Sequence, residues 1–269
     1  ALRKATELFA SGRVGVAEGI CREYLRVHPT DVNAIRLLGD IGYKLGIMEE
    51  AVQLYERCLE LAPDYHRARH KYALALSKQD KFEAAMKEVS RLITIDSNNI
   101  AYKALHAAVA SSAGRFDEAH VVYEDVLARA PDAVALLTSY GHSLRYSGQG
   151  EKAATIYRRA IEVDPGHGDA YWSLANLKTV KFTAPEVEEM SNQLHALEGD
   201  SPDKYHLAFA VGKALEDLKD YAGSFDAYKT GNEIKRRYSG YDSKDNTHRI
   251  DDSIAVCDES FMAQFNAGG

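Results

Sequence analysis

Proline is scarce in this chain of 269 residues: there are six, and four of them are Pro29, Pro63, Pro131 and Pro165. Tryptophan occurs once and cysteine three times. Three cysteines build no disulfide framework. Cys21 and Cys58 fall at apolar helix positions and Cys257 in the tail, so a reducing, cytoplasmic setting is expected. No apolar run approaches the roughly 18 residues a membrane-spanning helix needs, and Ala1-Leu2-Arg3-Lys4 reads as amphipathic helix rather than a signal sequence. A membrane partner is therefore not expected. The chain also lacks a basic excess: its formal charge is −7, which argues against a nucleic-acid partner. Residues 239–269 hold six acidic and two basic side chains, a net −4 of that −7, and read as an acidic linker or tail with one short helix around Glu259–Phe265.

Reactive constellations are missing too. The one Gly-Lys pair, Gly212-Lys213, is followed by Ala214 within an apparent helix, where a phosphate cradle needs Ser or Thr after a strand. His66 and His70 stand four apart on one helix, but there is no third ligand at a diagnostic spacing and no Cys-x-x-Cys. Asp and Glu are spread as on solvated helix faces, with no pair marked out as acid and base. No catalytic, cofactor or metal site is expected. Tyrosine, by contrast, is abundant at 16, and its repeated positions read as packing between helices with the hydroxyl at the edge.

What is present is a period. Ala17, Ala51, Ala85, Ala119 and Ala153 stand 34 residues apart. Gly12, Gly46, Gly114 and Gly148 precede them by five, with Asp80 the one substitute, and the four prolines follow by twelve, with Ser97 the exception. Small residues recur at Ala5, Gly39, Ala73, Ala107, Gly141 and Ala175, and aromatic ones at Tyr55, Tyr123 and Tyr157. In these positions the chain resembles the tetratricopeptide repeat (TPR) family. The resemblance implies an all-α fold, a right-handed TPR superhelix, or α-solenoid, of five regular repeats plus two atypical C-terminal helical pairs.

The physics of the repeat agrees. Two helices, A and B, of about 13 residues cannot bury an apolar stripe alone, so each pair stacks on the next. The alanines mark close crossings, the glycines supply a positive φ in the A-to-B turn, and the prolines end helix B. Helix pairs are expected at 1–27, 32–61, 66–95, 100–129 and 134–163, with a sixth helix A over 168–181. The array then occupies 1–181, in repeats 1–31, 32–65, 66–99, 100–133, 134–167 and a half repeat 168–181. By phase the first three positions of repeat one are missing, which predicts a longer parent chain. At 182–238 the rhythm breaks. Thr183 reads as an N-cap with Pro185 in the first turn of a helix to about Leu197, and a degenerate capping repeat follows, with Gly212, Tyr221, Ser224, Tyr228 and Gly231 in phase.

A second resemblance lies in residues 169–238. Tyr171-Trp172-Ser173-Leu174-Ala175-Asn176-Leu177-Lys178 and Leu207 to Asp217, followed by Tyr228 and Gly231-Asn232, are similar to the segment that joins the array to the catalytic domain in bacterial TPR-sulfotransferases. The resemblance implies a C-terminal domain using 3′-phosphoadenosine-5′-phosphosulfate. No Pro-Arg-Ser-Gly-Thr-like loop of that domain occurs here, so no catalytic residue carries over.

What is left for function is surface. Helix A positions expected on the concave face are Arg36, Asp40 and Tyr43, then Arg67, His70 and Leu74, then Ala104 and Ala108, then Thr138, His142 and Arg145, then Trp172, Asn176 and Thr179. Aromatic and Arg side chains are interface anchors, and the two alanines leave room, so the expected partner is a protein or peptide segment in this groove. Trp172 either closes the groove beside Tyr171 or packs under the 183–197 helix, and packing is the preferred role. Three readings stay open: a module positioning an attached sulfotransferase domain, a free-standing scaffold, and a self-contained enzyme.

Overall fold

A computed structural model describes residues 1–239, 242–257 and 261, and every regular element among them is a helix. Ten helices form five hairpins: α1 (Leu2–Ala10) with α2 (Val14–Val27), α3 (Val32–Leu45) with α4 (Met48–Leu61), α5 (His66–Lys78) with α6 (Phe82–Ile95), α7 (Ile100–Ser112) with α8 (Phe116–Arg129), and α9 (Val134–Tyr146) with α10 (Gly150–Val163). Each pair starts and stops within a residue of the positions set by the 34-residue phase. α3 and α7 are capped by Asp31 and Asn99, but the B helices α2, α4, α6 and α8 have no side-chain cap bond. Helices this short are marginal alone, so neighbour packing holds them.

The punctuation residues act as their chemistry requires. Gly12, Gly46, Gly114 and Gly148 adopt φ between 75° and 81° in the A-to-B turns, and Asp80, where the third repeat lacks glycine, takes the same left-handed conformation at φ 58°. The five phased alanines are wholly buried. Gly39 and Gly141 let a helix B tyrosine lie against helix A: a Cβ there would fall 2.8 Å from Tyr55 Cε1 and 2.4 Å from Tyr157 Cε1.

Packing divides the chain after Val163. In the first unit each helix packs on its sequence neighbours, and each A helix also touches the next A helix, α1 to α3, α3 to α5, α5 to α7 and α7 to α9. Successive B helices do not approach each other as closely. Unequal spacing of the two layers curves the stack with its A helices inside, which is the geometry of an α-solenoid.

The second unit contains α11 (Gly168–Ala175), α12 (Ala184–Ala196), α13 (Pro202–Asp217), α14 (Tyr221–Ser239) and α15 (Ser243–Val256). Phase alone runs the sixth helix A to 181; the helix ends at Ala175, and within the second unit α11 packs along α13. The cause is Asn176, whose side chain donates to the Trp172 carbonyl at 2.9 Å, followed by Lys178 in left-handed geometry. Thr183 and Glu186 close a capping box on α12. α13 and α14 form the degenerate repeat: Gly212 faces Tyr228, Lys219 takes the left-handed turn position five before Ser224, and Ser224 is buried. Within the tail, 243–256 form a helix that the repeat phase does not predict, started by Asp242 accepting from Lys244 N at 2.9 Å. The short helix expected at Glu259–Phe265 lies, apart from Phe261, outside the described residues.

Candidate functional site: the helix A face

Several side chains expected to meet a ligand are engaged inside the fold. Arg36 donates to the Tyr65 hydroxyl at 2.9 Å and to Asp40; Asp40 in turn accepts from the Tyr55 hydroxyl at 2.7 Å, and Tyr65 donates to Asn33 at 2.8 Å. Burial, then the Asp40 charge, pushes the Tyr55 phenol far above its ordinary value, so it stays a donor. The same device recurs in repeat five, where the Tyr157 hydroxyl lies 2.7 Å from His142 Nδ1. A glycine that admits the tyrosine ring thus places its hydroxyl on the next helix A residue, and Asp40 and His142 serve that tyrosine.

Thr138 is buried, and its hydroxyl donates to the Val134 carbonyl at 2.9 Å. Tyr43 packs at the edge of the core around Tyr55 and Leu76. Arg145 stacks on Tyr146, with the guanidinium 4.8 Å from the ring centroid. In the second unit the Trp172 ring lies 5.6 Å from Phe209 of α13, and Asn176 is the cap described above. Trp172 therefore has an aromatic packing partner on α13.

Among the described residues, cavities open beside the A helices of the first unit. One, of about 230 Å³, is lined by His66, Arg67, His70 and Lys71 of α5 and Tyr102 of α7. The other, of about 710 Å³, lies toward the A-to-B turns: Leu74 and Ser77 of α5, Ala108 and Ser111 of α7 and Tyr146 of α9 line it, with Lys78, Asp80 and the first residues of α6 and α8, Phe82 and Phe116, also on its wall. Tyr146 is 67% exposed. Among the described residues neither Arg67 nor Lys71 forms an ion pair, whereas Arg69 on the same helix is buried against Glu88. Burial, then the charge of Lys71, holds the His70 imidazole below its usual value, which favours its neutral form. From the sequence, His66 is marked only as a weighed metal ligand, and Lys71, Tyr102 and Tyr146 are passed over; the run His66-Arg67-Ala68-Arg69-His70-Lys71 is the available signal. Glu88 departs from the expectation that acidic side chains sit on solvated faces.

The outer side offers a third cavity, of about 520 Å³, between α8 and α10, lined by Leu127, Ala128, Tyr140, Leu144 and Ile156. Its polar rim is largely spent: Glu124 accepts from the Tyr140 hydroxyl at 2.9 Å and Arg159 donates to the Pro131 carbonyl at 2.7 Å. Among the described residues no group of three His, Cys, Asp or Glu side chains is placed to hold a metal, and no helix is long and apolar enough to cross a membrane.

Family models described as tetratricopeptide repeat match residues 2–66, 44–109 and 110–177. The chain belongs to the tetratricopeptide repeat family. Among solved structures, a TPR protein from Parabacteroides merdae superposes with a TM-score of 0.64 at 13% identity, over 86% of this chain and 82% of that one. A thermophilic TPR protein of Thermus thermophilus gives 0.58 at 20% identity, over 66% and 97%. Both show the shared fold. Among curated relatives, human protein O-mannosyl-transferase TMTC1 is 31% identical over 148 residues, 54% of this chain and 17% of its own length. The mouse mitochondrial import receptor subunit TOM70 is 23% identical over 209 residues, 72% of this chain and 34% of its own. This TPR chain therefore spans about a third or less of these relatives.

Proposed function

We propose that this TPR chain is a non-catalytic interaction module that holds a peptide segment of a partner protein along the helix A face of α5, α7 and α9. The observation that carries the reading is the pair of cavities on that face, where Arg67, Lys71 and Tyr146 stand ready while Arg36, Asp40, Thr138 and His142 are committed to the fold. A TPR relative named as an import receptor subunit is in keeping with such a role. Cys21 and Cys58 suit the reducing, cytoplasmic setting that belongs to the proposal: each thiol donates to a backbone carbonyl, and burial raises both to about 11, so they remain unreactive.

The test is selection of random dodecapeptides against the wild-type chain and against a Leu74→Arg/Ala108→Arg variant, which fills the larger cavity. Selected peptides should bind the variant at least tenfold more weakly while its helical circular dichroism stays unchanged. Peptides that bind both proteins equally would rule the groove out as the site. A second reading, motivated by the 171–178 and 207–217 segments, makes this module the N-terminal part of a TPR-sulfotransferase. The reading frame beyond residue 269 decides between that and a free-standing adaptor.

A further inference from the structure

We infer that the groove selects an extended segment carrying an acidic side chain two or three residues from an apolar one. This rests on the groove reading above and adds the chemistry of its occupant. The smaller cavity has no acidic residue on its wall: His66, Arg67, His70, Lys71 and Tyr102 supply cationic, imidazole and aromatic groups only. Arg67 and Lys71, unpaired among the described residues, have their charge available, and Tyr102 offers a ring beside it. The larger cavity begins one helical turn further along α5, at Leu74, and is apolar or hydroxylic where α5 faces α7: Leu74, Ser77, Ala108 and Ser111, with the Tyr146 ring at its end.

Geometry sets the spacing. At about 1.5 Å per helical residue, His70 to Leu74 spans about 6 Å and Arg67 to Leu74 about 10 Å. An extended peptide advances about 3.3 Å per residue, so those spans equal two to three residues. An acidic side chain over Arg67 and Lys71 then places an apolar one over Leu74 and Ala108. The chain's overall charge of −7 works against an acidic ligand at long range, but at physiological salt that field decays over about 8 Å. Inside the cavity the nearby cations decide.

The chain itself carries such a pattern, Asp251-Asp252-Ser253-Ile254, on α15. It is the competing occupant that an experiment must separate from a partner. The probe is a fluorescein-labelled octapeptide with Asp-Asp-Ser-Leu at its centre in a Gly/Ser background, followed by anisotropy. It should bind the full chain at least tenfold more tightly than the Lys-Lys-Ser-Leu and Asp-Asp-Ser-Ser versions. Arg67→Glu and Lys71→Glu should each weaken it about tenfold, with unchanged circular dichroism, and 0.5 M salt should weaken it severalfold. Equal binding of the acidic and basic probes, or indifference to both charge reversals, would overturn the inference. An Asp251→Asn/Asp252→Asn variant that binds the probe tenfold more tightly than wild type would give the site to the chain's own helix and overturn the partner assignment. Selected dodecapeptides that lack acidic residues yet lose binding to the Leu74→Arg/Ala108→Arg variant would leave the groove reading standing and sink this one alone.

Discussion

Replacing Glu88 by alanine should cost the first unit about 3–5 kcal/mol of stability, the range for breaking one side of a buried ion pair. Glu88 and Arg69 are 7% and 9% exposed, and the Glu88 carboxylate takes both Arg69 and, at 2.6 Å, Arg91. The other terminal nitrogen of Arg69 donates to the Pro63 carbonyl. Without Glu88 the guanidinium cannot shed its charge, because arginine does not deprotonate in proteins, and one carbonyl is poor compensation for the lost water. Urea unfolding followed by circular dichroism should show the midpoint fall by at least about 1 M, given slopes of roughly 1–3 kcal/mol/M. The double variant Arg69→Met/Glu88→Met removes both charges and keeps the bulk, so it should unfold later than Glu88→Ala. A midpoint for Glu88→Ala within experimental error of wild type would show the pair to be solvated.

Gly168→Ala should destabilise the second unit by about 3 kcal/mol, the upper end for overpacking. An alanine Cβ there would sit 1.9 Å from the Asp203 carbonyl oxygen and 2.6 Å from its carbon. Those are backbone atoms of the first turn of α13, held by Ser201 accepting from Lys204 N at 3.2 Å, and cannot swing aside as a side chain would. The sign is informative: at an unstrained helix position alanine gains about 1 kcal/mol over glycine. Trp172 gives the readout, being the one tryptophan, four residues along α11 and 5.6 Å from Phe209 of α13. A lowered midpoint in its fluorescence is expected; a raised one would mean α11 and α13 are not in this contact.

Much of the fold was legible because the 34-residue phase is carried by residues whose backbone or size requirement is strict. Even the substitutions obeyed it: Asp80 and Lys219 take the left-handed turn that glycine takes elsewhere. Where the phase broke, so did legibility. Nothing in the spacing said that Asn176 would turn on the Trp172 carbonyl and stop α11, or that α11 would pair with α13 across the intervening α12. The site was read less well for a related reason. Helical angle tells which helix A positions share a face, but it does not say whether a polar side chain there is already satisfied. Asp40 and His142 follow Gly39 and Gly141, and those glycines bring in Tyr55 and Tyr157, whose hydroxyls reach the very residues expected to face a ligand. Arg36 and Arg67 look alike in sequence, yet Arg36 has Asp40 one turn away and Arg67 has Lys71 there. Pairing at that spacing stabilises the first and leaves the second to seek its counterion elsewhere.

Recognition on the helix A face is tested most directly by hydrogen–deuterium exchange of the full chain with and without a selected peptide. Added protection in His66–Lys78, Ile100–Ser112 and Val134–Tyr146, with little change in the B helices, is the predicted result. Protection centred instead on Phe116–Arg129 and Gly150–Val163, which flank the outer cavity, would contradict it.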